Sequence, residues 1–112
     1  PRYCHGLALF NSGQFYEAHE VLEDVWRETS GREKVFLQAL IQIAVALYHH
    51  STGNLAGARS LLSQARIRLK SCPDPCAGIV VVDLCHSVDL WQEALARGSA
   101  VPPFPHAQRS GS

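Results

Sequence analysis

Glu17-Ala18-His19-Glu20-Val21-Leu22-Glu23-Asp24-Val25-Trp26 reads as one amphipathic helix with a histidine on its inner side. At about 100° per residue, Phe15, Leu22 and Trp26 fall in one narrow arc, with His19 inside it. Glu23 lies at the arc's edge, one turn beyond His19. Glu20 sits further round, beside Glu17 and Asp24 on the solvent side. A helix built only for a core would carry leucine at position 19. The stretch therefore predicts an all-helical fold and marks a candidate site on one of its helices.

Outward from this helix, glycines and prolines divide the chain. A first helix is expected from about Arg2 to Asn11, stopped before Gly13. The second runs from Phe15 to Thr29 and is broken by Ser30-Gly31. The third runs from about Arg32 to Thr52 and ends at Gly53-Asn54. A fourth spans Leu55 to Lys70, with Leu55, Ala58, Leu62, Ala65 and Leu69 at helical spacing. Cys72-Pro73-Asp74-Pro75-Cys76 is a turn no helix can cross. Gly78 to Val82 reads as an extended lead-in with no strand partner, and Asp83 as the cap of a fifth helix. Leu84, Val88, Trp91 and Leu95 form that helix's inner stripe. The organisation is a helical domain over residues 1–97 and an irregular Pro/Gly/Ser-rich tail over 98–112.

A repeat runs through the helices. Gly13, Phe15, Ala18, Val21 and Leu22 align with Gly53, Leu55, Ala58, Leu61 and Leu62 at a constant offset of 40. Each copy places glycine before a helix whose alanine admits a close neighbour, a pattern akin to tetratricopeptide-like helix hairpins. The expected architecture is thus a compact single-domain bundle of about five helices.

The third helix is apolar almost all round, which makes it the central one. Gln38, Gln42 and His49 nevertheless share an arc of about 40° on it. Buried polar groups need partners, and those within expected reach are His19, Glu23, Tyr16 and the Trp26 indole on the preceding helix. Facing stripes would make a polar seam between the second and third helices. Two readings follow. In one the seam only fixes helix register. In the other it is a ligand pocket, or a divalent-metal site in which His19 and Glu23 are completed by His49. His19 would then serve as ligand or general base, Glu23 as its partner, and the glutamines would orient substrate.

Other chemistry is poorly supported. His19-Glu20-x-x-Glu23 lacks the second histidine of the zinc-protease helix. Cys72, Cys76 and Cys85-His86 have loose spacing for structural zinc and read as incidental thiols. Lys+Arg and Asp+Glu both number 10, so there is no basic excess to favour nucleic acid or a membrane surface. The longest apolar run, Leu37 to Tyr48, is short of the roughly 20 residues that span a bilayer. No secretory signal is visible, and the four cysteines suit a reduced, cytoplasmic protein.

Phe10-Asn11-x-Gly13-x-Phe15-Tyr16-Glu17-Ala18-His19-Glu20-x-Leu22-Glu23-x-x-Trp26 resembles the signature of a prokaryotic family of small all-helical proteins, the domain of unknown function 309. Leu40-Ile41-Gln42-x-Ala44-x-Ala46-x-Tyr48-His49 and Gly53-Asn54-x-x-Gly57-Ala58 are similar to it as well. The resemblance covers about Tyr3 to Ala96 and implies an all-α bundle with no assigned activity. It also implies that Glu17, His19, Glu20, Glu23, Trp26, Gln42 and His49 are motif positions. Two functions stay open. One is a small-molecule- or metal-binding domain with a polar pocket, whose chemistry, if any, is acid–base or hydrolytic. The other is a protein-interaction or homo-oligomeric assembly module, with the Pro/Phe tail free to dock elsewhere.

Overall fold

Five helices follow one another in the computed structural model, which describes residues 1–111: α1 (Arg2–Asn11), α2 (Phe15–Arg27), α3 (Gly31–Ser51), α4 (Leu55–Lys70) and α5 (Val81–Arg97). The main helix contacts join consecutive elements, α1 on α2, α2 on α3, α3 on α4 and α4 on α5. Consecutive helices thus pack on one another around a single core. α3 sits at the middle of it. Phe36, Ala39, Leu40, Ile43, Ala44 and Ala46 are all fully buried along its length. Its alanines let the flanking helices approach, while its large residues fill the space between them.

The repeat seen in the sequence is a geometric one. Gly13 and Gly53 both take left-handed φ values, 82° and 86°. Around each, the turn closes with the same bonds. Gly13 N–H donates to Phe10 O at 3.1 Å and Gln14 N–H to Leu9 O at 3.0 Å. Gly53 N–H donates to His50 O at 3.1 Å and Asn54 N–H to His49 O at 2.9 Å. Ser12 and Thr52 each return a hydroxyl to the helix they end, at 3.0 Å. Beyond the turns, Ala18, Leu22, Ala58 and Leu62 are all fully buried. The one mismatch is the first apolar residue of each helix. Phe15 is 6% exposed and Leu55 is 50% exposed, because the tail covers only the first hairpin.

α1 meets α2 at Gly6. A methyl group there would stand 2.7 Å from Leu22 Cδ2, so only hydrogen fits. On α2, Ala18 and Leu22 are fully buried, while His19 lies part-exposed at the rim of the buried face. The sequence expectation that His19 lies inside the arc is corrected accordingly: α2 has two neighbours, α1 and α3, and its buried face is centred between them.

α5 also begins differently from expectation. Its first turn starts at Val81, and the cap is Asp74 from the proline turn, not Asp83. The Asp74 carboxylate accepts from Val81 N–H at 2.8 Å and Val82 N–H at 3.1 Å, satisfying two of the helix's free donors. The extended lead-in does have a partner. Ile79 forms isolated bridges with Cys76 and with Arg109 of the tail.

That tail has no helix, yet it does not dock elsewhere. It lies on the chain's own body. Trp91, fully buried, donates its indole N–H to Pro103 O at 2.9 Å. The Phe104 ring stacks on Trp91 with planes 17° apart and meets Phe15 edge-on at 5.1 Å. Asn11 clamps the Ala107 backbone, accepting from its N–H at 2.7 Å and donating to its carbonyl at 3.2 Å. Val80 N–H to Gln108 O and Ser110 N–H to Gly78 O, both 2.8 Å, pair the tail with the lead-in. Asn11→Ala removes two part-buried bonds of about 1 kcal/mol each. Its urea unfolding midpoint should fall by an equivalent of about 1–3 kcal/mol. An unchanged midpoint would mean the tail is not held by this clamp.

Candidate functional site

The short connection between Arg27 and Gly31 makes α2 and α3 antiparallel neighbours, so the start of α2 lies beside the end of α3 and Tyr16 faces Tyr48. Their rings are 5.3 Å apart with planes inclined at 47°, and they are 50% and 40% exposed. Aromatic side chains left this open beside each other are unusual in a chain that buries most of its large apolar groups. On one side of the pair lies a groove of about 680 Å³, bounded by Phe15, Tyr48, Trp91, Val101 and Phe104. Glu17 and His50 also line it. On the other side is a smaller cleft of about 160 Å³ between α2 and α3, lined by Phe15, Val45, His19 and His49. Both share the two tyrosines and Phe15.

The residues singled out in the sequence are distributed along this face and beyond it. His19 Nε2 lies 3.1 Å from Glu23 Oε2, as its one-turn spacing requires. Arg27 binds the other Glu23 oxygen at 2.7 Å and Asp24 at 2.8 Å, so Glu23 is shared between an imidazole and a guanidinium. Glu20 is exposed on the outer face. Tyr16 and His19 contact as rings at 6.1 Å, and Tyr48 and His49 at 6.4 Å. Ring contacts thus link His19, Tyr16, Tyr48 and His49 in series. His49 is further occupied by Asn54, whose amide nitrogen is 3.4 Å from Nδ1.

His19, Glu23 and His49 consequently do not form the expected three-ligand set. Among the described residues, no group of three or more histidine, cysteine, aspartate or glutamate side chains is placed to hold a metal ion. His19 and His49 line the same cleft, but His19 is paired with Glu23 and His49 with Asn54.

The polar seam is also corrected. Gln42 turns away from α2, towards α4. Its amide donates to Gln64 Oε1 at 3.1 Å, and its oxygen accepts from Arg68 Nε at 3.1 Å. Gln38, one turn earlier, faces α2 in a recess of about 130 Å³ with Glu23, Trp26 and Ile41. The glutamines lie on one helical line, but that line is the boundary between two packing interfaces. Each long side chain swings to the side that offers partners. Trp26 keeps a buried indole N–H with no partner, beneath Lys34 Nζ at 4.2 Å from the ring centroid.

Sequence reasoning missed the groove itself. It treated Tyr48 only as part of a motif and Trp91 only as core. The available signal was Pro102-Pro103-Phe104-Pro105, a stiff segment holding one large ring. A second concavity, about 370 Å³, lies by Tyr3, Glu33 and Ala77. Tyr3 donates its hydroxyl to Ala77 O at 2.7 Å, where Ala77 holds a left-handed φ of 50°. Burial pushes the Tyr3 phenol up to about 12. Burial likewise pushes the Cys72 thiol up to about 11, and all four cysteines are free thiols.

The model of a family described as a domain of unknown function, DUF309, matches residues 3–61 of this chain. An uncharacterised protein of Aquifex aeolicus (strain VF5) is 38% identical over 71 residues, 62% of this chain and 21% of that protein. The uncharacterised protein YpuF of Bacillus subtilis (strain 168) is 42% identical over 52 residues, 46% of this chain and 30% of YpuF. The matched stretches thus span less than a third of either curated relative. A crystal structure of a conserved hypothetical protein from Thermus thermophilus superposes with a TM-score of 0.69 at 33% identity. That superposition covers 86% of this chain and 97% of the other.

Two consequences of this arrangement can be measured by unfolding. Glu23 is a rim residue of an exposed ion-pair string, so Glu23→Gln should shift stability by no more than about 0.5 kcal/mol. Gln42→Ala strips two part-buried bonds and should cost about 1–2 kcal/mol. A reversed ranking in urea titrations would contradict the assignment of Gln42 to the α3–α4 interface. Tyr3 gives a pH signature. Its folded phenol ionises near 12 against an ordinary 10.0, so its contribution is complete below pH 10 and is lost as pH rises to 12. Tyr3→Phe should flatten the fall in melting temperature over that window, and an unchanged slope would remove Tyr3 as its source.

Proposed function

The chain belongs to the DUF309 family, and from that premise we propose that it is a ligand-binding helical module. Its site is the aromatic groove beside Tyr16 and Tyr48, continued into the small cleft at His19 and His49. The observation that carries this reading is the groove's form: about 680 Å³, walled by aromatic rings, with a carboxylate and an imidazole at its edge. Small-molecule sites are usually concavities of a few hundred Å³ with mostly apolar walls and a few polar groups that orient the ligand. Glu17, His50 and the tyrosine hydroxyls are the orienting groups here. His19 lines the cleft while paired with Glu23 behind it, and its ring can make one hydrogen bond to a bound molecule. No reaction is assigned to the site, and it is proposed as one of binding.

The proposed compartment is the reducing cytoplasm, in keeping with the four unpaired thiols. No helix among the described residues is long and apolar enough to cross a membrane.

A second reading, an assembly module, draws on the groove's rim. Tyr16, Tyr48, Val101 and Phe104 are between 40% and 57% exposed and would suit a protein surface as well as a small ligand. Titration with indole, a neutral aromatic probe, distinguishes the two. Followed by amide NMR, it should shift residues 13–17, 47–51 and 101–104, and Tyr48→Ala should weaken the effect several-fold. Shifts confined to the Tyr3–Glu33 cleft, or none, would overturn the ligand reading. A dimer in light scattering that Tyr48→Ala dissolves would transfer the groove to assembly.

A further inference from the structure

We propose that the groove selects small organic cations, namely quaternary or protonated amines with an apolar body. The inference rests on the groove being a ligand site and adds the chemistry of what it takes.

The first ground is the wall. Ring faces carry negative quadrupole density and attract a cation held over them. Five rings line the groove, those of Phe15, Tyr16, Tyr48, Trp91 and Phe104. Tyr16 and Tyr48 meet at 47°, so they form an open notch and not a closed stack. Phe104 lies over Trp91 at 17°, which hides one of its faces, while the residue as a whole stays 57% exposed. Trp91 and Phe15 are buried behind this wall, so the rings open to a ligand are those of Tyr16, Tyr48 and Phe104.

The second ground is charge. Neither the groove nor the adjoining cleft is lined by any lysine or arginine. Glu17 is the one carboxylate on their walls. It takes part in no ion pair among the described residues, unlike Glu23, which is held by Arg27. The lysine and arginines of α2 and α3, Arg27, Arg32 and Lys34, all lie at the end of these helices away from Tyr16 and Tyr48. An anion would meet no lysine or arginine in this groove. A neutral apolar molecule would find the rings but leave Glu17 unused.

The third ground is contrast with the Tyr3–Glu33 concavity. It also has a single carboxylate, but Tyr3 is the only ring on its wall. A carboxylate alone does not make a site for a weakly hydrated cation. The Tyr16–Tyr48 end combines a carboxylate with several rings.

Choline and its neutral carbon isostere, 3,3-dimethylbutan-1-ol, separate charge from shape. Titrated at pH 8 and followed by the same amide resonances, choline should bind about tenfold more tightly than the alcohol. Glu17→Gln, a surface change that should leave the circular dichroism spectrum intact, should narrow the ratio to about threefold or less. Tyr48→Leu, which keeps an apolar wall, should weaken choline more than the alcohol. Equal affinity for the two probes, or a ratio indifferent to both substitutions, would overturn the cation proposal while indole binding kept the groove. Failure of indole as well would remove the groove itself.

Discussion

Burial of the Trp91 indole is the constraint on which the groove depends. A fully buried indole N–H is costly to leave without an acceptor, and helix-interior carbonyls are already used within the helix. The acceptor is Pro103 O, on a segment outside the helices. Once that bond is made, Phe104 is carried onto Trp91 and Phe15, and Asn11 can close on Ala107. The tail therefore becomes a wall of the groove. It also explains why the two hairpins, alike in their turns, differ at Phe15 and Leu55.

Trp26 supplies the counter-example. Its N–H is buried without an acceptor, and its ring face takes a lysine ammonium instead. An indole can be held by packing and a cation when its surroundings offer no carbonyl, but at a cost in unsatisfied polarity. The two tryptophans thus mark opposite ends of the α2–α3 region. The Trp91 end is built from aromatic rings and the tail. The Trp26 end is built from charged and amide side chains. The reading of the groove as the ligand site follows from that division, since the rings leave open space and the polar string at Glu23 and Arg27 is already paired.

The family-matched residues 3–61 contribute Phe15, Tyr16, Glu17, Tyr48 and His50 to the groove, whereas Trp91, Val101 and Phe104 lie beyond them. The site is composite in this sense. One wall belongs to the shared hairpins, and the other to α5 and the tail of this chain. Relatives that match only over the hairpins can share the tyrosine notch and differ in the wall facing it.

Local rules determined a great deal. Glycine at 13 and 53, alanine at 18 and 58 and the 3.6-residue periodicity of α4 place the helices and turns within a residue or two, because backbone propensity and helix periodicity act over a few residues. The His19–Glu23 contact was equally legible, being one helical turn. What the sequence could not determine was which neighbour each side chain would meet. Gln38 and Gln42 share a helical line yet join different interfaces, since α3 is flanked on both sides. His19 and His49 lie on adjacent helices and line one cleft, yet each takes its own partner, Glu23 and Asn54. Asp74 caps a helix seven residues away, and Pro103 satisfies an indole twelve residues back. These are contacts between elements. Only the tertiary structure decided them, because a hydrogen bond or a packed ring is chosen by distance in space and not by spacing along one helix.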